Sequence, residues 1–366
     1  MPFLARGRCF FSQAIFTFLL STSLVAHAEE DYETNIDLQG RAIAIDQALP
    51  SSPRNKGRKL QSGWVLMSHV VTADGQAIDP IIMNSSGGVA FENEVRAVSK
   101  SWRYEPSPAG AELPLNITNI RFTIRGRGKG TTRRFARYAQ HIMKNLHADD
   151  IEAARKIADD AVELGGWNLY ESTILWLMLG RVEGAEGDEV EKLEMYQRAL
   201  AVSDEISLRR DARIDLLSDI FKLEADFGQL SAAMQTIATL QAAPGSSAAL
   251  ERLSPRIEEI RTILESDPEI TAKATVMNPC DCAEGTPLWH YIPTRRIFSF
   301  ANASGTVERF EARCEGQRIS GTIEPDKTWT LDPEWGFCRI FVFGDDGATF
   351  DFLEHSKNAE DKSTKL

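Results

Sequence analysis

The chain has 366 residues, 43% hydrophobic and 26% charged, with a formal net charge of −12. That length accommodates two or three domains, each able to bury its own core. The acidic balance argues against nucleic acid as a partner, because a polyanion would be repelled.

At the start of the chain, Arg6 and Arg8 precede an apolar run from Phe10 to Val25. Ala26-His27-Ala28 then gives a small-x-small cleavage signature directly before Glu29-Glu30-Asp31. The pattern predicts a signal peptide over residues 1–28 and an exported mature chain. The alternative is a retained membrane anchor, for which Ser12, Gln13, Thr17 and Ser21-Thr22-Ser23 make the run a poor spanning helix. Residues 29–62 are polar and turn basic at Arg54, Lys56, Arg58 and Lys59, which predicts a linker with some local order.

Residues 63–126 have the pattern of an α+β unit. Trp64 to Thr72 is rich in strand-forming residues, and Asp74-Gly75 supplies a hairpin turn before a second strand over Gln76 to Met83. Phe91, Val95, Val98 and Trp102 share one face at helical spacing, and Ile120, Phe122 and Ile124 alternate with Arg121 and Thr123 in a third strand, Ile117 to Ile124. Gly63-Trp64-Val65, Asp74-Gly75, Ser85-Ser86-Gly87, Ser101-Trp102-Arg103-Tyr104 and Pro106, in that order, resemble the carboxy-terminal domain of the TonB family. The resemblance implies a periplasmic domain that grips an extended segment of outer-membrane transport receptors, so TonB-dependent receptors and other periplasmic or outer-membrane proteins are the implied partners. The third strand is the expected accepting edge, with Ile117, Ile120, Arg121, Phe122, Ile124 and Arg125 as its partner-binding residues.

Arg125-Gly-Arg127-Gly-Lys129-Gly lacks a nucleotide-loop fingerprint, and residues 127–132 read as a basic, Gly-rich hinge. Helical patterns then dominate residues 133–265. Gly180, Gly187, Tyr196 and Ala199 fall at the separations of a tetratricopeptide repeat, so this middle part resembles two to three such hairpins stacked into a concave surface. Trp167, Tyr170 and Trp176 are expected in its core. Ser254 and Pro255 read as the start of a last helix, Arg256 to Leu264.

Residues 275–354 change to short alternating strands, Val307 to Cys314, Arg318 to Ile323, Phe337 to Phe343 and Thr349 to Leu353, which predict a small β-sandwich or curled sheet. A charged tail, residues 355–366, is expected to be disordered. Cys280, Cys282, Cys314 and Cys338 all belong to this region, and three pairings are open. Cys314 with Cys338 is favoured, because both lie in predicted strands that can be neighbours, leaving Cys280 and Cys282 to pair with each other or stay free.

Catalysis is not expected. The six histidines are scattered, neither HExxH nor GxSxG occurs, and His69 reads as a partly exposed residue of a strand. No cofactor is implied. A thiol or metal protein working through Cys280, Cys282 and His290 is an alternative, though one CxC and a distant His lack paired metal spacing. The reading is therefore an α+β multidomain, non-catalytic periplasmic adaptor serving TonB-linked transport, with a membrane-anchored energy transducer as its alternative, since membrane contact requires residues 1–28 to be retained. The family-like domain is internal to this chain, which favours the adaptor.

Overall fold

The computed structural model describes residues 32–51, 62–86, 89–107, 110–124, 130–203, 208–279, 286–325, 327–356 and 363–365. The segment 1–28, Arg125 and the rest of the basic glycine run through Lys129, Cys280 and Cys282 lie outside them.

The first part comprises β1 (Tyr32–Gly40), β2 (Ala44–Asp46), β3 (Gly63–Val71), β4 (Ala77–Ser85), α1 (Val89–Ser99), β5 (Arg103–Tyr104) and β6 (Leu113–Ile124). Its main sheet has the order β1-β6-β3-β4, with every neighbouring pair antiparallel. The β3–β4 turn needs Gly75, which has φ +85°, and a Cβ there would lie 2.1 Å from the Tyr104 carbonyl oxygen. One face of the sheet buries Val65, Met67, Ile120 and Phe122 under Phe91 and Val95 of α1. The Phe91 and Phe122 rings sit 4.9 Å apart.

Two expectations are corrected in this part. Much of the supposed linker is structured: β1 runs alongside β6 in unbroken register from Tyr32↔Ile124 to Gly40↔Asn116. Consequently β6 is an interior strand, paired with β1 on one side and β3 on the other, and not a free edge. The cause is readable in β1, where Thr34, Ile36 and Leu38 are half-buried and alternate with exposed Glu33, Asn35 and Asp37.

The helices are α2 (Arg133–His147), α3 (Ile151–Leu164), α4 (Leu169–Glu186), α5 (Glu189–Val202), α6 (Arg210–Asp226), α7 (Leu230–Ala242) and α8 (Ser247–Ser266), with sequence neighbours packed on one another. Side chains of Thr132, Asp150, Asn168 and Asp188 cap α2 to α5, and Asn168 forms a reciprocal capping box with Glu171. Gly180 lies beneath the Tyr196 ring, where a Cβ would come within 2.4 Å. Trp167 and Trp176 are buried in this core and Tyr170 is half-buried. The last helix starts well before Ser254, so Pro255 is an interior residue of α8. It is tolerated because it sits on the exposed face, where water can satisfy the carbonyl left without a partner.

The third part holds β7 (Glu269–Thr275), β8 (Leu288–Tyr291), β9 (Ile297–Ser304), β10 (Val307–Cys314), β11 (Arg318–Thr322), β12 (Thr328–Thr330), β13 (Cys338–Gly344), β14 (Thr349–His355) and β15 (Ser363–Lys365). They form two sheets, β11-β10-β13-β8 and β15-β12-β9-β14-β7, which share an aromatic core containing Phe298, Phe300, Phe310, Trp289 and Phe352. The tail expected to be disordered contributes β15, which pairs in parallel with β12. Cys314 and Cys338 are directly opposite each other on β10 and β13 and are joined by a disulfide.

From Asp31 onward the chain forms one compact unit. The face of the first sheet turned away from α1 is covered by the third part: Met83, Leu66, Ile81 and Ile117 pack on Leu288, Phe341 and Phe343.

Candidate functional site

The six residues expected to hold a partner segment occupy different environments. Ile120, Phe122 and Ile124 point into the core beneath α1. Ile117 points the other way, into the contact with β8 and β13. Arg121 donates from Nη2 to the carbonyl oxygen of Ala201 on α5 at 3.4 Å, while Arg125 lies outside the described residues. The side chains of the five described residues are thus committed to the protein's own packing. What remains for recognition is the main chain, through the ladder along β6.

The two sides of the sheet differ in accessibility. Beside β4, the backbone N–H of Ser85 donates to the carbonyl oxygen of Pro279 at 3.0 Å, and Arg313 Nη2 donates to the carbonyl oxygen of Asp79 at 2.9 Å. Pro80 offers no donor at all, so this border is blunted against strand addition. On the opposite border the outermost strand is β1. Its inward residues, Ile36 and Leu38, only fringe the core. This strand is not anticipated by the sequence reading, although the alternation of Thr34, Ile36 and Leu38 with acidic and amide residues is a signal for it.

His69 differs from its expectation as well, being completely buried. It lies 5.4 Å from the Tyr104 ring and 5.8 Å from the Trp102 ring, and neither ring nitrogen has a hydrogen-bond partner among the described residues. Burial, helped by the charge of Arg313, lowers its pKa to about 3, which leaves the ring neutral. A neutral imidazole with no oriented partner has no base to serve and no proton to relay, so His69 is a packing residue.

Arg313 is the main polar link between the first and third parts. It is buried, donates from Nη1 to Ser68 Oγ at 3.1 Å and pairs with Glu311 at 2.7 Å. Arg318 adds ion pairs to Asp79 and Glu112. Among the described residues, no group of His, Cys, Asp and Glu side chains could hold a metal ion, and no helix is long and apolar enough to cross a membrane.

A hairpin, a helix and a returning strand, with an extended segment laid along that strand, define a small α+β domain. Residues 50–124 match the family described as Gram-negative bacterial TonB protein C-terminal, so the chain carries a TonB C-terminal domain, and helical segments follow it. Protein TonB of Escherichia coli (strain K12) is 29% identical to it over 107 residues, which cover 29% of this chain and 43% of that relative. The match thus spans less than half of the relative's length.

Proposed function

We propose that this chain is a non-catalytic adaptor of the periplasm, in which the TonB-type sheet takes up extended segments of partner proteins in TonB-linked transport across the outer membrane. TonB-dependent receptors are the partners this reading favours. The helices and the β-sandwich hold the domain in place and offer surfaces for a second partner.

The observation that carries the reading is the β1–β6 ladder. A nine-residue extended segment, lying upstream of the family-matched residues, hydrogen-bonds along β6 without a register break. In this reading β1 is the chain's own occupant of the accepting strand, and a partner segment replaces it. Main-chain hydrogen bonds supply the affinity, while Ile120, Phe122 and Ile124 hold β6 in position from beneath. The exchange is feasible because β1 buries little apolar surface and its removal leaves the α1 core in place.

A labelled peptide of residues 32–40 provides a defined probe. It should bind a chain lacking residues 29–40 and bind the full chain at least roughly tenfold more weakly, because there the site is already occupied. Fluorescence anisotropy reads both affinities. A truncated chain that folds yet ignores the peptide would show that β6 accepts no exchangeable strand.

A further inference from the structure

Where the first sheet, the helices and the sandwich converge there is a cavity of about 600 Å³. That volume suits a small ligand. Met83 and Asn84 of β4, Glu194 of α5, Glu224 of α6, His290 of β8 and Arg339 of β13 all line it.

The charges on its walls are unequally matched. Glu194 is engaged by Arg198 at 2.9 Å and by the Asn84 amide at 2.6 Å. Glu224 accepts from Thr236 at 2.7 Å and Gln197 at 3.2 Å, and burial pushes its pKa up to about 7. Arg339 has no such partner. Its one hydrogen bond among the described residues runs from Nη1 to Nδ1 of His290 at 3.0 Å, and its Nε is buried with nothing to accept from it. The contrast is sharpest across the ladder, because Arg313, directly opposite Arg339 in register, has a carboxylate, a hydroxyl and a carbonyl for its guanidinium. His290 cannot supply the missing charge. Its Nδ1 accepts from Arg339, so the proton of the neutral ring is on Nε2, and burial and the arginine together lower its pKa to about 3.

A half-buried guanidinium that lines a cavity, with its Nε sealed and no carboxylate paired to it among the described residues, calls for an anion. The ionisable lining is otherwise mixed, with Lys273 and Asp351 beside Glu194 and Glu224, so a ligand of low charge that carries an apolar body suits these walls better than a small, multiply charged ion. Met83, Leu193, Leu288 and Phe350 supply apolar wall. We propose that this cavity binds a small organic acid, its carboxylate on Arg339 and its apolar body against Met83 and Leu288. Such a ligand touches all three parts of the fold at once, so its occupancy stiffens their junction. This site is independent of strand exchange at β6.

Hexanoate is a suitable probe for the full exported chain, with hexanamide as its uncharged counterpart and inorganic phosphate as the multiply charged alternative. Hexanoate should raise the thermal midpoint with a dissociation constant on the order of 1 mM, as befits so small a ligand. Hexanamide and phosphate should not. Arg339→Gln should weaken hexanoate binding at least roughly tenfold, the loss of one charge-assisted contact. Because that change could disturb folding, Ala232→Phe fills the cavity from α7 without touching the arginine, and it too should abolish the response. Equal shifts with hexanoate and hexanamide, a response to phosphate alone, no response to hexanoate, or hexanoate binding unchanged in both variants would each overturn the assignment.

Discussion

His69 makes folding of this protein sensitive to acid through one side chain. Its pKa in the folded chain is about 3, against an ordinary value of 6.5, so below pH 6.5 the unfolded chain binds the proton and the folded chain does not. The stability due to the neutral ring is present above pH 6.5 and is lost progressively as the pH falls toward 3. At pH 5 the loss is about 2 kcal/mol. Glu224 works in the opposite direction, since its raised pKa favours the folded chain as the pH falls below 7. A difference measurement isolates the histidine: between pH 7 and pH 5, the stability of His69→Leu relative to the unsubstituted protein should improve by about 2 kcal/mol in urea titrations. A gap that does not move with pH would mean that the ring titrates normally. Arg313 poses a different test. Arg313→Ala leaves Glu311 with only the longer 4.0 Å pair to Arg309 and removes the bonds to Ser68 and Asp79, and it should cost about 3 kcal/mol in the same titration.

At the scale of elements, the proposed strand exchange turns on β1. It shields β6 through a ladder of nine residue pairs, yet its outward side chains are exposed. Ile36→Pro places a residue without an N–H, and with fixed φ, in the middle of that ladder. The expected outcome is faster hydrogen exchange at β6 amides, with α1 unaffected, and tighter capture of the 32–40 peptide. Loss of the whole domain's protection would instead show that β1 is integral to the fold. Elements were legible in the sequence to different degrees. The β3–β4 hairpin, α1 and β6 announced themselves through Asp74-Gly75, a helical stripe and a strict alternation. By contrast, β1 was hidden because its inward residues, Thr34, Ile36 and Leu38, are few and are interleaved with acids and amides that suit a linker equally well. Helix α8 runs through Pro255, where a helix start is expected from sequence, since a proline on a solvated helix face costs less than the same residue in a packed one.

For the whole molecule, the disulfide and the covered back of the first sheet bear on stability and on cellular role. Cys314 and Cys338 close a separation of 24 residues, and on the chain-entropy account the bond contributes about 3 kcal/mol. Replacing both by serine should lower the urea midpoint accordingly, with little effect on peptide capture at β6. Cellular placement is testable by intact mass on soluble and membrane fractions of the native cell. The adaptor reading expects a soluble chain beginning at Glu29, whereas a membrane-bound chain retaining residues 1–28 would favour the anchored transducer.

By itself, the sequence determined the local units of this protein: a hairpin–helix–strand domain of TonB type, a helical middle with capped helices, and short strands bearing cysteines. Those features rest on periodicity, turn chemistry and capping, which act over a few residues. The tertiary structure decided which strand lies beside β6, that His69 is sealed between aromatic rings, and that Arg313 finds a carboxylate while Arg339, directly across the ladder, finds only His290 among the described residues. Each of these outcomes joins positions from 33 to more than 200 residues apart. Such neighbours are selected by the fit of whole faces against one another, and no short stretch of sequence contains both sides of the contact.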